Sequence, residues 1–151
     1  MNSSTPTLRP AQDDCRVLVC ECRPYKEDGE APFRAITRQV LFKNPELACE
    51  LRYFEVAPGG YSTLERHQHT HGVMILRGQA DVLVGGEIRP VKTHDLVHIP
   101  AMTWHQFRTR GDEPMGFLCM VNVERDKPQL PDERELQKLR ADPAIAAFLA
   151  G

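Results

Sequence analysis

Pro58-Gly59-Gly60-Tyr61-Ser62-Thr63-Leu64-Glu65-Arg66-His67-Gln68-His69-Thr70-His71-Gly72-Val73-Met74-Ile75-Leu76-Arg77-Gly78 is the stretch on which the reading of this chain turns. It sets Glu65, His67, His69 and His71 at alternate positions, with a glycine turn expected before them and an apolar run behind. On an extended strand successive side chains point to opposite faces, so residues two apart share one face. Such a segment can aim several imidazoles and a carboxylate at one point. A metal ion needs that convergence, and Zn, Fe, Mn, Ni and Cu all accept imidazole or carboxylate donors.

Outward from this stretch, short runs at strand density recur between Gly and Pro punctuation. Upstream they cover Arg16 to Cys22, Ala35 to Phe42 and Cys49 to Val56. In the last of these Leu51, Tyr53 and Glu55 alternate with Arg52, Phe54 and Val56, so neither face is cleanly apolar. Downstream come Val73–Leu76, Ala80–Val84, a Gly85-Gly86 hairpin turn, Glu87–Lys92, Asp95–Ile99, Gln106–Arg110 and Gly116–Val123. Pro90 cannot donate a ladder hydrogen bond and predicts an edge or bulge position for its strand. The spacing argues an all-β antiparallel sandwich or barrel. From Pro131 the pattern becomes helical, with Asp132 as N-cap, Leu136 and Leu139 as a stripe, and a second short helix starting at Asp142-Pro143. The expected organisation is a loose tail over 1–14, a barrel over 15–130 and a helical segment over 131–151 packed on it.

The composition sets the class. The chain has 151 residues, 41% hydrophobic and 26% charged, which suits one globular domain with a core of its own. A net charge of −2 gives no electrostatic reason to propose nucleic acid or an acidic membrane as partner. No apolar run is long enough to span a bilayer, and a cytoplasmic location is the expectation. The five cysteines, at 15, 20, 22, 49 and 119, follow no structural-zinc spacing and read as reduced thiols.

These residues resemble the cupin superfamily, whose fold is a double-stranded β-helix, or jelly-roll barrel. Its first motif is usually G-x5-H-x-H-x3,4-E-x6-G and its second G-x5-P-x-G-x2-H-x3-N. The likeness covers about residues 36–123. The second motif is met by Pro100-Ala101-Met102-Thr103-Trp104-His105, with His94, Met102 and Thr109 standing where the family has two glycines and an asparagine. In the first motif, aligning Gly59 and Gly78 with the family glycines makes Glu65, His67 and His71 the ligand positions, and His105 the fourth. The resemblance therefore implies three imidazoles and one carboxylate in an E-x-H-x3-H version of the motif. His69 falls in the chain crossing between strands, as a supporting or exposed histidine or as the ligand in place of Glu65. His94 and His98 lie outside the ligand positions. A mixed N/O set suits Mn(II) or Fe(II), with Ni, Zn and Cu also accepted; manganese is the expectation.

Cys119, in Gly116-Phe117-Leu118-Cys119-Met120-Val121-Asn122, joins the metal if Phe117, Cys119 and Val121 face the interior, and is otherwise a small core residue. Thr37–Phe42, Glu50–Glu55, Trp104–Phe107 and Gly116–Asn122 followed by Glu124-Arg125-Asp126 are similar to the cupin-type methylthio-xylulose 5-phosphate methylsulfurylases. That likeness implies release of methanethiol in the presence of thiol reductant to give deoxyxylulose 5-phosphate, with Cys119 as nucleophile toward sulfur and the metal on the sugar oxygens. The competing expectations are a metal-dependent dioxygenase or isomerase on the same four ligands, and a non-catalytic metal-storage or small-molecule-binding cupin. Arg38, Arg52, Arg66 and Arg77 are the cations available for a phosphate, and Tyr53, Tyr61, Trp104 and Phe107 the aromatic residues available to line a pocket. Exposed sheet edges make a homodimer the expected state.

Overall fold

The computed structural model describes residues 22–24 and 33–151. Among the described residues nine strands run in chain order: β1 (Cys22–Pro24), β2 (Arg34–Asn44), β3 (Cys49–Tyr61), β4 (His71–Arg77), β5 (Gln79–Val84), β6 (Glu87–Lys92), β7 (Leu96–Ile99), β8 (His105–Arg110) and β9 (Met115–Asn122). Two helices, α1 (Glu133–Arg140) and α2 (Pro143–Ala150), close the chain. The expected tail over 1–14 lies outside the described residues, as does most of the strand expected at Arg16 to Cys22, of which only Cys22 falls in β1.

All pairings are antiparallel. The spatial order is β6-β5-β8-β3-β9-β4-β7, with β2 added on β3 and β1 on β2. The sheet curls into a jelly roll because β3 changes partner along its length: residues 49–56 pair with β9, while Tyr61 pairs with Arg108 of β8. The turn expected at Pro58-Gly59-Gly60 is therefore not a reversal. β3 continues through all three residues, and Gly59, at φ 69°, lies in an irregularity of the β2–β3 ladder between the Arg34–Tyr61 and Ile36–Val56 pairs. β6, which carries Pro90, lies at the end of the order, where a missing donor is tolerated.

Aromatic rings line the inside of the curled sheet. Phe54 of β3 stacks on Phe117 of β9 at 5.1 Å, and Phe117 on Phe107 of β8 at 5.0 Å. Val56, Ile75, Ile99 and Met115 are fully buried around them. In the β3–β9 register Arg52 opposes Cys119, Phe54 opposes Phe117 and Val56 opposes Met115, so this row faces inward. The mixed polarity read in β3 has a physical origin here, since Arg52 is one of the inward positions and is buried.

A second cluster of Leu64, Leu83 and Ile145, with Trp104, Leu136 and Phe148 against it, packs the two helices onto the barrel. Both helices start as the sequence indicates. Asp132 and Glu135 form a reciprocal capping box (Glu135 N to Asp132 Oδ1 2.7 Å, Asp132 N to Glu135 Oε2 3.1 Å), and Asp142 accepts from Ala144 N at 2.8 Å. An Arg66–Glu135 ion pair of 2.7 Å ties α1 to the segment that carries the histidines. Among the described residues, no helix is long and apolar enough to cross a membrane.

Gly78, at φ 68°, ends β4 in the left-handed region, and a Cβ there would meet the Pro114 carbonyl oxygen and, at 3.0 Å, Met115 Cα. Gly78→Ala is expected to cost about 2–4 kcal/mol and to lower Tm by roughly 5–15 °C in a thermal denaturation scan. An unchanged Tm would show that the turn relaxes freely.

Candidate metal centre

Residues 62–70 link β3 to β4 and do not form the continuous strand that the alternating pattern suggests. Glu65 and Arg66 make isolated bridges to His105 and Gln129, and a bend follows at Gln68–His69 before β4 opens at His71. Convergence thus comes from a folded crossing rather than from one pleated face. Two backbone hydrogen bonds, Glu65 N to His105 O at 3.2 Å and His105 N to Glu65 O at 3.0 Å, bring the two sequence motifs side by side.

The result is a tight cluster. Donor atoms of Glu65, His67 and His105 lie within 4.8 Å of one another, and so do those of His67, His69 and His71. The His67 ring centroid is 4.3 Å from that of His71 and 5.0 Å from that of His105. Glu65, His67, His71 and His105 are all buried, and His69 is half-buried. His94 and His98 stand away from the cluster: His94 occupies a left-handed turn position, and His98 Nε2 meets the Thr70 hydroxyl at 3.1 Å.

The donor chemistry fits a divalent metal. His67 Nδ1 lies 2.7 Å from the His69 carbonyl oxygen and His105 Nδ1 lies 2.9 Å from that of Thr103. A carbonyl can only accept, so each Nδ1 carries the proton and each Nε2 keeps its lone pair. The buried Nε2 atoms of His67 and His71 have no hydrogen-bond partner among the described residues, an arrangement costly in a protein interior unless a ligand takes them. Burial, aided by repulsion from His105 and His69, lowers the His67 pKa to about 4. Burial and the neighbouring His67 depress His71 further still. Both rings are therefore neutral near pH 7, the state a metal requires of imidazole. The fold and this cluster together support a divalent metal.

One cavity of about 240 Å³ reaches the cluster from outside, with Cys119, Arg52, Arg38 and Arg125 on its walls. Phe117, Cys119 and Val121 are all buried, and Cys119 Sγ lies 3.6 Å from His71 Nδ1. Arg52 Nη2 donates to Cys119 Sγ at 3.3 Å, and the Arg52 guanidinium lies 3.8 Å from Glu50. Burial dominates and raises the Cys119 thiol above its ordinary range, while the Arg52 charge and hydrogen bond offset part of that rise. Arg125 meets the same Glu50 at 3.4 Å and donates to the Asn122 carbonyl at 2.7 Å.

Asp126 enters the sequence reading only as part of Glu124-Arg125-Asp126, without a role of its own, yet it organises the crossing. It accepts from Gln68 N at 2.7 Å and from His69 N at 3.3 Å, and its Oδ1 meets His69 Nδ1 at 2.8 Å. Desolvation opposes its charge, but these hydrogen bonds bring its pKa to about 2. Among the residues considered for the pocket wall, Phe107, Arg38 and Arg52 line the cavity. Arg66 instead stacks over Trp104 at 4.4 Å, Arg77 pairs with Glu55 at 2.9 Å, and Tyr61 lies under Arg108 at 4.5 Å. Tyr53 is buried with its hydroxyl on Glu55 at 3.1 Å.

Comparison with known proteins agrees with this geometry. The sequence family described as "Cupin domain" matches residues 52–121. The 1-methylthio-D-xylulose 5-phosphate methylsulfurylase of Rhodospirillum rubrum is 60% identical over 144 residues, covering 95% of this chain and 92% of that protein. A crystal structure of a cupin 2 conserved barrel domain protein from Rhodopseudomonas palustris superposes with a TM-score of 0.89 at 54% identity, covering 94% of this chain and 98% of that one. A cupin-2 domain from Rhodospirillum rubrum gives 0.86 at 59% identity, covering 95% and 97%. The chain belongs to the cupin family, together with the methylsulfurylase of Rhodospirillum rubrum.

Proposed function

We propose that the protein is a metal-dependent methylsulfurylase that cleaves the carbon–sulfur bond of 1-methylthio-D-xylulose 5-phosphate. The observation that carries the reading is the position of Cys119, a buried thiol that lines the same cavity as the Glu65/His cluster and lies beside both His71 and Arg52. The identity shared with the Rhodospirillum rubrum enzyme over nearly the whole chain supports the same substrate.

Glu65, His67, His71 and His105 are the proposed metal ligands, with His69 as the alternative to Glu65. Their mixed carboxylate and imidazole set favours Mn(II), followed by Fe(II). Bound there, the ion supplies the positive charge that polarises the ketose carbonyl and favours negative charge on its oxygen.

Cys119 Sγ, as thiolate, attacks the sulfur of the methylthio group. The new S–S bond joins Cys119 to SCH3, the C1–S bond breaks, and its electron pair passes to C1 as an enolate with the C2 carbonyl. Protonation of C1 gives the methyl group of 1-deoxy-D-xylulose 5-phosphate. Two equivalents of an external thiol then release methanethiol, regenerate the Cys119 thiol and leave as a disulfide. Arg52 serves this step by holding the sulfur in place and favouring its anionic form, which burial alone would suppress. Phe54, Phe107 and Phe117 form an apolar floor that keeps bulk water from the enolate.

The test is direct. Metal-loaded protein incubated anaerobically with 1-methylthio-D-xylulose 5-phosphate and dithiothreitol is expected to yield 1-deoxy-D-xylulose 5-phosphate and methanethiol in equal amounts. Absence of both products, or a strict requirement for oxygen, would reject the reading.

A further inference from the structure

The cavity has a chemical polarity that the reaction centre does not use up. Its imidazoles come from the β3–β4 crossing, β4 and β8, whereas its three guanidinium groups among the described residues, Arg38, Arg52 and Arg125, come from β2, β3 and the segment after β9. Arg38 opposes Phe54 in the β2–β3 register, and directly opposed residues project from the same face of an antiparallel pair. Phe54 belongs to the core, and so does Ile36, two residues before Arg38 on the same face of β2. Arg38 therefore emerges on the interior side of the sheet, half-buried.

The three arginines are not equivalent. Arg52 is buried and committed to Cys119 Sγ, at 3.3 Å, and to Glu50. Arg125 is braced from behind by Glu50 and by the Asn122 carbonyl, which fixes its guanidinium at the cavity wall. In a 1-methylthio pentulose 5-phosphate, sulfur and phosphate occupy opposite ends of the carbon chain. With the sulfur at Cys119, Arg52 is engaged at that end by its hydrogen bond to Sγ, and Arg38 and Arg125 are the other guanidinium groups among the described residues of the wall. A planar guanidinium suits the far end because it offers a phosphate two parallel hydrogen bonds.

We propose that Arg38 and Arg125 form the phosphate subsite of this cavity, with Arg38 as the residue that selects phosphorylated over unphosphorylated sugars. The inference takes its ligand from the proposed reaction. It assigns separate work to the arginines: Arg52 holds the sulfur, and Arg38 and Arg125 hold the anion at the far end.

The experiment uses the full-length, metal-loaded protein as wild type, Arg38→Met and Arg38→Lys, each checked for metal content and Tm. With 1-methylthio-D-xylulose 5-phosphate, Arg38→Met is expected to lose about 100-fold in kcat/KM, mainly through KM, and Arg38→Lys to recover part of the loss. With unphosphorylated 1-methylthio-D-xylulose the same variants should stay within about threefold of wild type, since the missing contact was never made. Equal losses on both sugars, or no loss on either, would overturn the assignment. Calorimetric titration with inorganic phosphate gives a readout independent of turnover, in which Arg38→Met is expected to bind at least about tenfold more weakly. Unchanged phosphate affinity would refute the subsite. Wild-type protein that turns over neither sugar would refute the proposed reaction, leaving the phosphate titration to decide on Arg38.

Discussion

Cys119→Ser is expected to lower methanethiol release by about 1,000-fold or more while the purified protein keeps its full metal content. The substitution exchanges one atom at a site where Arg52 Nη2 already donates to the side chain, so a hydroxyl can accept the same hydrogen bond. The side chain is almost fully buried in the barrel wall opposite Arg52, and serine is close enough in size that neither packing nor the imidazole cluster is disturbed. What is lost is nucleophilicity, because a hydroxyl is protonated at every pH at which the fold survives and is a poor nucleophile toward sulfur. Turnover by Cys119→Ser within tenfold of wild type would remove the thiol from the mechanism. Such a result would leave the external thiol as the direct attacker on the methylthio sulfur, with the same four proposed ligands around the ion. Elemental analysis of the same preparation keeps the two explanations of a dead variant apart, since loss of activity together with metal would indicate damage to the centre instead.

The sequence carried different parts of this site with different clarity, and the differences have physical causes. Strands such as Ala80–Val84 and the helix caps at Asp132 and Asp142 were legible because their signals are local: β-branched runs, a Gly-Gly hairpin, a carboxylate at an N-cap. The approach of Glu65 and His67 to His105 was legible only through the spacing of two family motifs, because the contact is made by backbone bridges between segments forty residues apart. The reversal expected at Pro58–Gly60 misread the same glycine signal. A positive φ allows a tight turn, but it equally allows a bend within one strand, and only the partners of β3 on either side of Gly59 decide between them. Face alternation over residues 65–71 failed for a related reason, since period-two reasoning holds only where a ladder keeps the chain extended. Asp126 and Glu50 were read only as parts of stretches that carry the resemblance, with no role of their own. An acidic residue in a loop is ordinary, and its grip on His69 or on two arginines depends entirely on tertiary placement.

Glu65→Gln is expected to abolish stoichiometric metal binding, with affinity falling at least about 100-fold, whereas His69→Gln retains the ion. Geometry alone permits two three-residue sets that share His67, one completed by Glu65 and His105 and the other by His69 and His71. Charge and commitment separate them. Glu65 is a buried carboxylate whose own backbone is pinned to His105, so it brings a full negative charge to a position the fold already holds fixed. His69 gives its Nδ1 to Asp126, its main chain to the same carboxylate, and its carbonyl to the His67 ring. Those contacts describe a residue that holds the crossing in shape and fixes the tautomer of His67, the work of a group that supports ligands. A divalent cation in a partly dry site gains far more from the carboxylate than from a further neutral ring. Glutamine keeps the size of Glu65 and one oxygen acceptor but replaces the other oxygen by an amide NH2 that can only donate, so the variant removes both the charge and one donor atom to the metal. The measurement is elemental analysis after dialysis against a weak chelator, paired with Tm, which should rise on adding Mn(II) to the wild type and to His69→Gln and remain unchanged in Glu65→Gln. Retention of metal by Glu65→Gln together with its loss from His69→Gln would exchange the two roles and place the ion among His67, His69 and His71.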